Sequence, residues 1–452
     1  MKQILVLGAG QSAPYCIAYL LEHAAAEDWF VTVGDIDVDL ARRRLDGHPR
    51  GSAVRFDVND SSLRTTQFEN ADVVVSMLPP QFIDPIAWEC IDHGCHLISV
   101  SYRNKAVRDL DVDAHRHGLL LLSEMGLDPG IDHMSATALI RRVRDDGGRI
   151  TSFCSYGSGI PAPDQPQNPL RYLITWNPRN VAMAGEKGAQ YMENGEIKIV
   201  PYPHVFHHTW TVEVDGVGTL EAYPNRDSLS YMDAFGLTDV KTMIRGTLRY
   251  PGWSETWSQI VKLGLPTEHA RIPDLAERTY REVVEMFLPL NVSGPKMETR
   301  VARFLGISPT GRIIENMRWL GLFSDEKIGC EGETPADMLI HVLNRRMGLT
   351  DELRDVVVLV HELEVEYPED DRPKERITST LVAEGEAGGF TAMAKTVGLP
   401  AAIAVRLLLR DELHLTGSRI PTHPSIYDPI LREIADEGLK FREEREVMSD
   451  EG

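Results

Sequence analysis

Gly8-Ala9-Gly10-Gln11-Ser12-Ala13 is the first stretch of the chain whose residue types and spacing can do chemistry. It reads G-x-G-x-x-A, follows the apolar run Ile4–Leu7 and opens a helical pattern, and that context gives the motif its meaning. The first glycine permits a tight turn, the second lets backbone approach a pyrophosphate, and Ala13 allows close packing of helix on strand. Free N–H groups at Gln11 and Ser12 would then meet the phosphates of a dinucleotide. Asp35 ends the next predicted strand, Val31-Thr32-Val33-Gly34-Asp35, where a carboxylate can accept hydrogen bonds from an adenosine ribose and would repel a 2′-phosphate. No Arg follows directly, since the chain continues Ile36-Asp37. Taken alone, Asp35 favours NAD over NADP.

Three more residues suit a reaction beside a nicotinamide. Ser101 and Tyr102 follow the predicted strand His96–Val100, and in an open α/β sheet the carboxyl ends of strands face the ligand. The Tyr102 phenol can pass a proton only if its pKa falls well below the usual value of about 10. Asp128 lies in Gly126-Leu127-Asp128-Pro129-Gly130, where Pro and Gly fix a turn, and its carboxylate can pair with an ammonium or steer water. Asp132 is expected to cap the following helix and His133 to pack. His204, His207 and His208 lack an Asp, Glu or Cys at fitting spacing, so no metal site is expected. Trp253 and Trp257, four apart, read as one packed helix face.

These residues must be carried by a sheet. Up to residue 127 short apolar runs alternate with helical patterns: Ile4–Leu7, Ser12–Ala26, Phe30–Gly34, Asp39–Leu45, Ala71–Leu78, His96–Val100 and Leu119–Leu122. Strands alternating with helices predict a parallel sheet with crossover helices. After residue 127 the strands lengthen and alternate. Thr209–Val214 and Val217–Tyr223 resemble a hairpin, so a largely antiparallel second domain is expected. Residues 252–350 are helical in pattern. Val356–Tyr367 and Glu375–Glu384 look like further strands of that domain, and Gly388–Leu409 like a helix returning to the first. The acidic tail from Glu443 is expected to fray. The expected fold class is α/β, with a Rossmann dinucleotide-binding domain (1–127), an inserted α+β substrate-binding and dimerisation domain (128–390, helical over 252–350) and a return to the first domain (391–452).

Composition narrows the partners. The chain has 452 residues with 47 Lys+Arg against 68 Asp+Glu, a net charge of −21. Phosphate backbones and anionic membranes call for basic surface, so neither nucleic acid nor membrane is an expected partner. No apolar stretch long enough for a transmembrane helix is evident. Five cysteines without a Cys-x-x-Cys pair fit a reducing, cytoplasmic setting.

With Ser101-Tyr102 and Gly126-Leu127-Asp128-Pro129-Gly130-Ile131-Asp132-His133 in view, the sequence resembles the saccharopine dehydrogenase family, most closely its glutamate-forming branch, the saccharopine reductases. Matching segments continue through Gly159-Ile160-Pro161-Ala162-Pro163, Tyr223-Pro224-Asn225-Arg226-Asp227-Ser228, Arg245-Gly246-Thr247-Leu248-Arg249-Tyr250-Pro251-Gly252 and Thr378-Ser379-Thr380-Leu381-Val382. The resemblance implies NAD(P)(H)-dependent interconversion of saccharopine with glutamate and 2-aminoadipate 6-semialdehyde, in lysine metabolism, by a homodimer.

By the same resemblance Ser101, Tyr102, Asp128, Arg226 and Thr247-Leu248-Arg249 contact the substrate, with Tyr102 and Asp128 the acid–base candidates. Saccharopine carries three carboxylates, and a guanidinium meets a carboxylate with two parallel hydrogen bonds, which suits Arg226 and Arg249. A locally positive site is therefore expected on an acidic molecule. Asp57 and Leu78 complete the expected cofactor set of Gly8, Gly10, Gln11, Ser12 and Asp35. The sequence departs from the family's pattern at Ser155-Tyr156-Gly157-Ser158-Gly159, where the fungal type has a Cys, and after Asp35, where the NADP branch has an Arg. The family branch suggests NADP, Asp35 without a following Arg suggests NAD, and cofactor choice stays open on these grounds. A sibling lysine 6-dehydrogenase or carboxynorspermidine dehydrogenase, which would not need both arginines, and a non-catalytic dinucleotide-binding sensor are the alternatives.

Overall fold

The structure is a computed structural model that describes residues 1–165 and 167–448. The chain divides into two compact units, one of Met1–Ile150, Ala234–Gly236 and Glu364–Gly452, the other of Thr151–Asp233 and Leu237–Leu363.

The first unit is built on β1 (Lys2–Leu7), β2 (Trp29–Asp35), β3 (Gly51–Arg55), β4 (Val73–Ser76), β5 (His96–Ser99) and β6 (Leu120–Leu122), joined by a late strand, Gly417–Arg419. All pair in parallel, in the order 417–419, β6, β5, β4, β1, β2, β3. Val73, Val74 and Val75 are fully buried, as a central strand covered by helices on both faces requires. β3 went unrecognised in the sequence because Gly51-Ser52-Ala53-Val54 offers neither an apolar run nor alternation. The strand order reverses at β1, between β4 and β2, which puts the loop after β1 at the switch point of the sheet. The first helix is shorter than the expected 12–26. It spans Pro14–His23, because Pro14 at its first position sets the start and leaves Gln11 and Ser12 in the turn. Helix Ala392–Leu409 is long and apolar enough to cross a membrane, yet 72% of that stretch is buried. It packs on the first helix at Gly398, where a Cβ would press on the Cys16 backbone.

The second unit contains β7 (Arg149–Pro161, from Thr151), β8 (Ala189–Glu193), β9 (Glu196–Val200), β10 (Trp210–Val214), β11 (Gly218–Pro224), β12 (Arg226–Asp227), β13 (Thr242–Arg249) and β14 (Asp355–Glu366, to Leu363). The hairpin β10–β11 forms in the register Val212↔Leu220. The sheet is largely antiparallel, as expected, but not wholly so: β13 runs parallel to β7, and β12 parallel to β8. Alternation reveals which face a strand buries but says nothing of its partner's direction. Five helices fill 252–350: Trp253–Leu263, Tyr280–Met286, Met297–Leu305, Arg312–Leu320 and Pro335–Met347. Trp253 and Trp257 stack at 5.0 Å between ring centres, both almost fully buried.

Beyond 1–127 and 391–452, the first unit also takes in helix Ile131–Asp145 and the pair β15 (Glu375–Glu384) and β17 (Phe441–Val447), with β16 the late strand Gly417–Arg419. The acidic tail does not fray at Glu443. β17 pairs antiparallel with β15 as far as Val447, and opposite charges such as Arg445 and Glu375, 3.3 Å apart, meet across the ladder. Residues 449–452 lie outside the described residues.

Candidate active site

In the first unit the carboxyl edge of the parallel sheet gathers the candidate residues. Gly8 follows β1 with φ +98°, a conformation that favours glycine, and a Cβ there would press on Leu78 and the Met77 backbone. Gly8 and Leu78 are therefore neighbours at the switch point. A Cβ on Gly10 would meet no protein atom within 4 Å, so the loop keeps an open face where a pyrophosphate can approach backbone. Gln11 is exposed and Ser12 half-buried in the same turn. Asp35 reaches back to this loop: its Oδ2 accepts the Ala9 N–H at 2.7 Å, and Oδ1 accepts the Asp37 N–H at 2.9 Å. Asp37, not Asp35, caps the helix Val38–Leu45. These features fit a nicotinamide dinucleotide, held at the loop and at Asp35. The Asp57 carboxylate closes a local turn by accepting the Asn59 N–H at 2.9 Å. Among the described residues, no hydrogen bond joins Asp57 to Asp35 or the glycine loop.

Ser101 and Tyr102 come two and three residues after β5. Ser101 is buried and donates from Oγ to the Leu78 carbonyl at 3.2 Å, beside the cofactor loop. The Tyr102 hydroxyl lies 3.5 Å from Asp128 Oδ1. From Leu119 to Ala136 every residue is buried except Asp128, so this carboxylate is the one group of that run held at the surface. Its loop is closed tightly. Gly126 N–H donates to the Pro129 carbonyl at 3.0 Å, Ile131 N–H donates to the Gly126 carbonyl at 2.9 Å, and a Cβ on Gly130 would collide with Gly126 O. The Asp128–Pro129 peptide is cis.

Behind this loop stands a buried ionic network that the sequence did not reveal. His133 Nε2 lies 2.7 Å from Glu124 Oε2, and its Nδ1 lies 3.0 Å from Asp132 Oδ2. Burial alone would lower the imidazolium, but Asp132 and Glu124 outweigh it and hold His133 up at about 9. Both carboxylates also grip backbone. Glu124 accepts the Arg103 N–H at 2.9 Å, and Asp132 accepts the Gly130 N–H at 2.6 Å. His133 does more than pack, and Asp132 sits inside the helix rather than at its cap, which Gly130 occupies. The network ties the Ser101–Arg103 turn to the Asp128 loop. A Glu within the apolar run Leu119–Leu127 was the one legible signal, because an acid at a buried position needs a partner.

The second unit carries the cations. Arg249 ends β13 and is 4% exposed. Its Nη1 donates to Ser158 Oγ at 2.7 Å and to the Leu248 carbonyl at 2.8 Å. Its guanidinium lies 4.6 Å from the Tyr172 ring centre, 5.0 Å from that of Trp253 and 5.8 Å from that of Tyr223. Its Nε is buried without a hydrogen-bond partner, and among the described residues no carboxylate pairs with it. A buried charge in that condition costs free energy unless an anion arrives. Leu248 is fully buried, so it contributes its carbonyl rather than its side chain. Thr247 is half-buried and pairs in register with Tyr223 and Gly157. Arg226, half-buried in β12, has φ +58°, a region few non-glycine residues enter and one that recurs at functional positions. Two more arginines of this unit stack on rings: Arg171 over Tyr250 at 3.8 Å and Arg245 over Tyr231 at 4.3 Å. Ser158, Tyr172 and Trp253 escaped the sequence reading because a cage around a cation is assembled from separate elements.

Known proteins resemble the chain along nearly its whole length. The family model described as the saccharopine dehydrogenase NADP binding domain matches residues 4–122. The model described as the saccharopine dehydrogenase C-terminal domain matches residues 126–439. The chain is 34% identical to the NADP(+), L-glutamate-forming saccharopine dehydrogenase of Saccharomyces cerevisiae, across 98% of this chain and 99% of that one. It is 32% identical to the mitochondrial alpha-aminoadipic semialdehyde synthase of Rattus norvegicus, across 97% of this chain and 47% of that one. Its fold is similar to the apo saccharopine dehydrogenase (L-Glu forming) structure from S. cerevisiae, with a TM-score of 0.86 at 32% identity over 99% of this chain and 100% of that one.

Proposed function

The chain belongs to the saccharopine dehydrogenase family, and from that premise we propose that it interconverts saccharopine with glutamate and 2-aminoadipate 6-semialdehyde, using NAD(P)(H). Saccharopine and water give the two amino acids, while two electrons and a proton pass to the dinucleotide and one further proton is released. The bound nicotinamide supplies the hydride chemistry.

Asp128 takes the proton of the secondary ammonium, since an amine carrying that proton has no lone pair to drive hydride loss. The hydride leaves from the methylene of the aminoadipate arm beside nitrogen, which is why the aldehyde appears on that arm. Asp128 then orients the water that attacks the resulting imine, and the Tyr102 hydroxyl beside it steadies the nitrogen's proton. Ser101, anchored on the Leu78 carbonyl, holds the substrate's polar atoms near the glycine loop. Arg226 and Arg249 take carboxylates of the substrate. The observation that carries the reading is Arg249: a buried guanidinium in an aromatic cage, with no carboxylate partner among the described residues, is prepared for an anionic ligand. A diamine substrate with a single carboxylate would leave one of the two arginines unmatched, which disfavours the sibling dehydrogenases.

The test is initial-rate absorbance of reduced nicotinamide with saccharopine, lysine and carboxynorspermidine in turn. Saccharopine alone should support turnover. Turnover with lysine or carboxynorspermidine and none with saccharopine would overturn the proposal.

The proposal extends to a homodimer in a reducing, cytoplasmic setting. Ile197 and Ile199, 59% and 73% exposed, stand two apart on the rim strand β9, an apolar surface suited to a second copy. All five cysteines are free thiols, which suits a reducing compartment. A light-scattering mass of one chain would refute the dimer.

A further inference from the structure

We propose that this chain selects NAD(H) over NADP(H), with Asp35 as the residue that decides, a reading that rests on the dinucleotide role assigned above. The matched family model and the yeast relative carry NADP in their descriptions. The groups around Asp35 do not fit a 2′-phosphate.

Three observations carry the argument. First, the Asp35 carboxylate cannot swing away without loss. Oδ2 holds the Ala9 N–H of the glycine loop and Oδ1 holds the Asp37 N–H, so its charge is fixed at the end of β2, where the adenosine ribose of a dinucleotide lies. Turning it aside for a phosphate would leave the loop's own N–H without its acceptor. Second, the segment that follows adds negative charge. Asp37 spends Oδ1 on the N–H groups of Asp39 and Leu40, Asp39 sits in the first turn, and Ile36, 64% exposed, occupies the place next to Asp35. Third, two of the three nearby arginines are paired with carboxylates. Arg42 pairs with Asp39 at 2.6 Å, and Arg43 with Asp37 at 3.7 Å. Arg44 donates from Nε to the Ala9 carbonyl at 3.1 Å, which ties that N–H to the glycine loop. A ribose 2′-hydroxyl can donate to a fixed carboxylate. A phosphate dianion can only be repelled by it, and like charges a few ångströms apart in a partly buried site cost enough to change affinity by orders of magnitude.

Direct binding to the purified protein, without substrate, tests this. Fluorescence titration with NADH and NADPH should give a Kd on the order of a hundredfold lower for NADH. Asp35→Asn keeps an acceptor for the Ala9 N–H and removes the charge. It should tighten NADPH at least about tenfold while changing NADH little. The double variant Asp35→Ser with Ile36→Arg should reverse the preference. Equal binding of both dinucleotides, or tighter NADPH in the unaltered chain, would overturn the proposal and transfer the 2′-site to Arg44. Binding of neither would overturn the dinucleotide role itself, so the two failures are distinct.

Discussion

Replacing Arg249 by Met separates a substrate clamp from a structural arginine. Arg249 is buried, holds Ser158 Oγ and the Leu248 carbonyl, and lies against three aromatic rings, yet has no carboxylate partner among the described residues. Removing it relieves the desolvation of an unpaired ion, a cost of several kcal/mol. Against this stand two lost hydrogen bonds and the cation–π contacts, about 0.5–2 kcal/mol each. These opposing contributions nearly cancel, so Tm should move by only a few degrees. Binding behaves differently. A hydrogen bond to a charged group contributes about 1.5–3 kcal/mol, so losing the carboxylate contact should raise the saccharopine KM by roughly 10- to 150-fold. Arg249→Lys keeps the charge but loses the planar fork, and should fall between the two. Differential scanning fluorimetry and steady-state kinetics read both quantities from one preparation. A large fall in Tm with an unchanged saccharopine KM would make Arg249 structural and refute the reasoning.

Asp128→Asn should lower kcat by about 10²- to 10⁴-fold and leave KM within a few-fold, as for loss of a proton-transfer group; an unchanged kcat would remove Asp128 from the chemistry. Gly10→Ala should leave Tm unchanged, because its Cβ meets no protein atom, yet weaken dinucleotide binding at least about tenfold by filling the approach to the pyrophosphate. Isothermal calorimetry would expose an error as undiminished affinity. The folded state raises His133 from 6.5 to about 9, so its contribution of roughly 3 kcal/mol is complete below pH 6.5 and lost as pH rises through about 9. Stability in urea should therefore drop across that window, and His133→Gln should flatten the drop; an equal slope in the variant would show that another group titrates.

The candidate cofactor residues were legible because their signal is local. A strand, two glycines and an acid at the end of the next strand lie close in sequence, and chain connectivity alone brings them together. Asp128 was legible for the same reason, since Pro129 and Gly130 beside it dictate a turn. The cations were legible as residue types only. Nothing in Arg249's neighbours foretold Tyr172, some eighty positions earlier, or Ser158 on β7, because a cage drawn from separate strands and helices is a property of packing. The Glu124–His133–Asp132 network was hidden likewise: each residue reads alone as a cap, a packing histidine or a stray acid, and only burial makes the three interdependent. The parallel pairing of β7 with β13, and the pairing of the charged tail with β15, depended on long-range register that alternation does not encode.

The central claim is that this protein oxidises saccharopine on the aminoadipate arm and releases glutamate. Incubating the purified chain with saccharopine and oxidised dinucleotide, then quantifying reduced dinucleotide, glutamate and 2-aminoadipate 6-semialdehyde by absorbance and mass spectrometry, tests it most directly. All three should form in equal amounts. Reduced dinucleotide accompanied by lysine and 2-oxoglutarate instead would contradict it, because the hydride would then have left from the glutamate carbon.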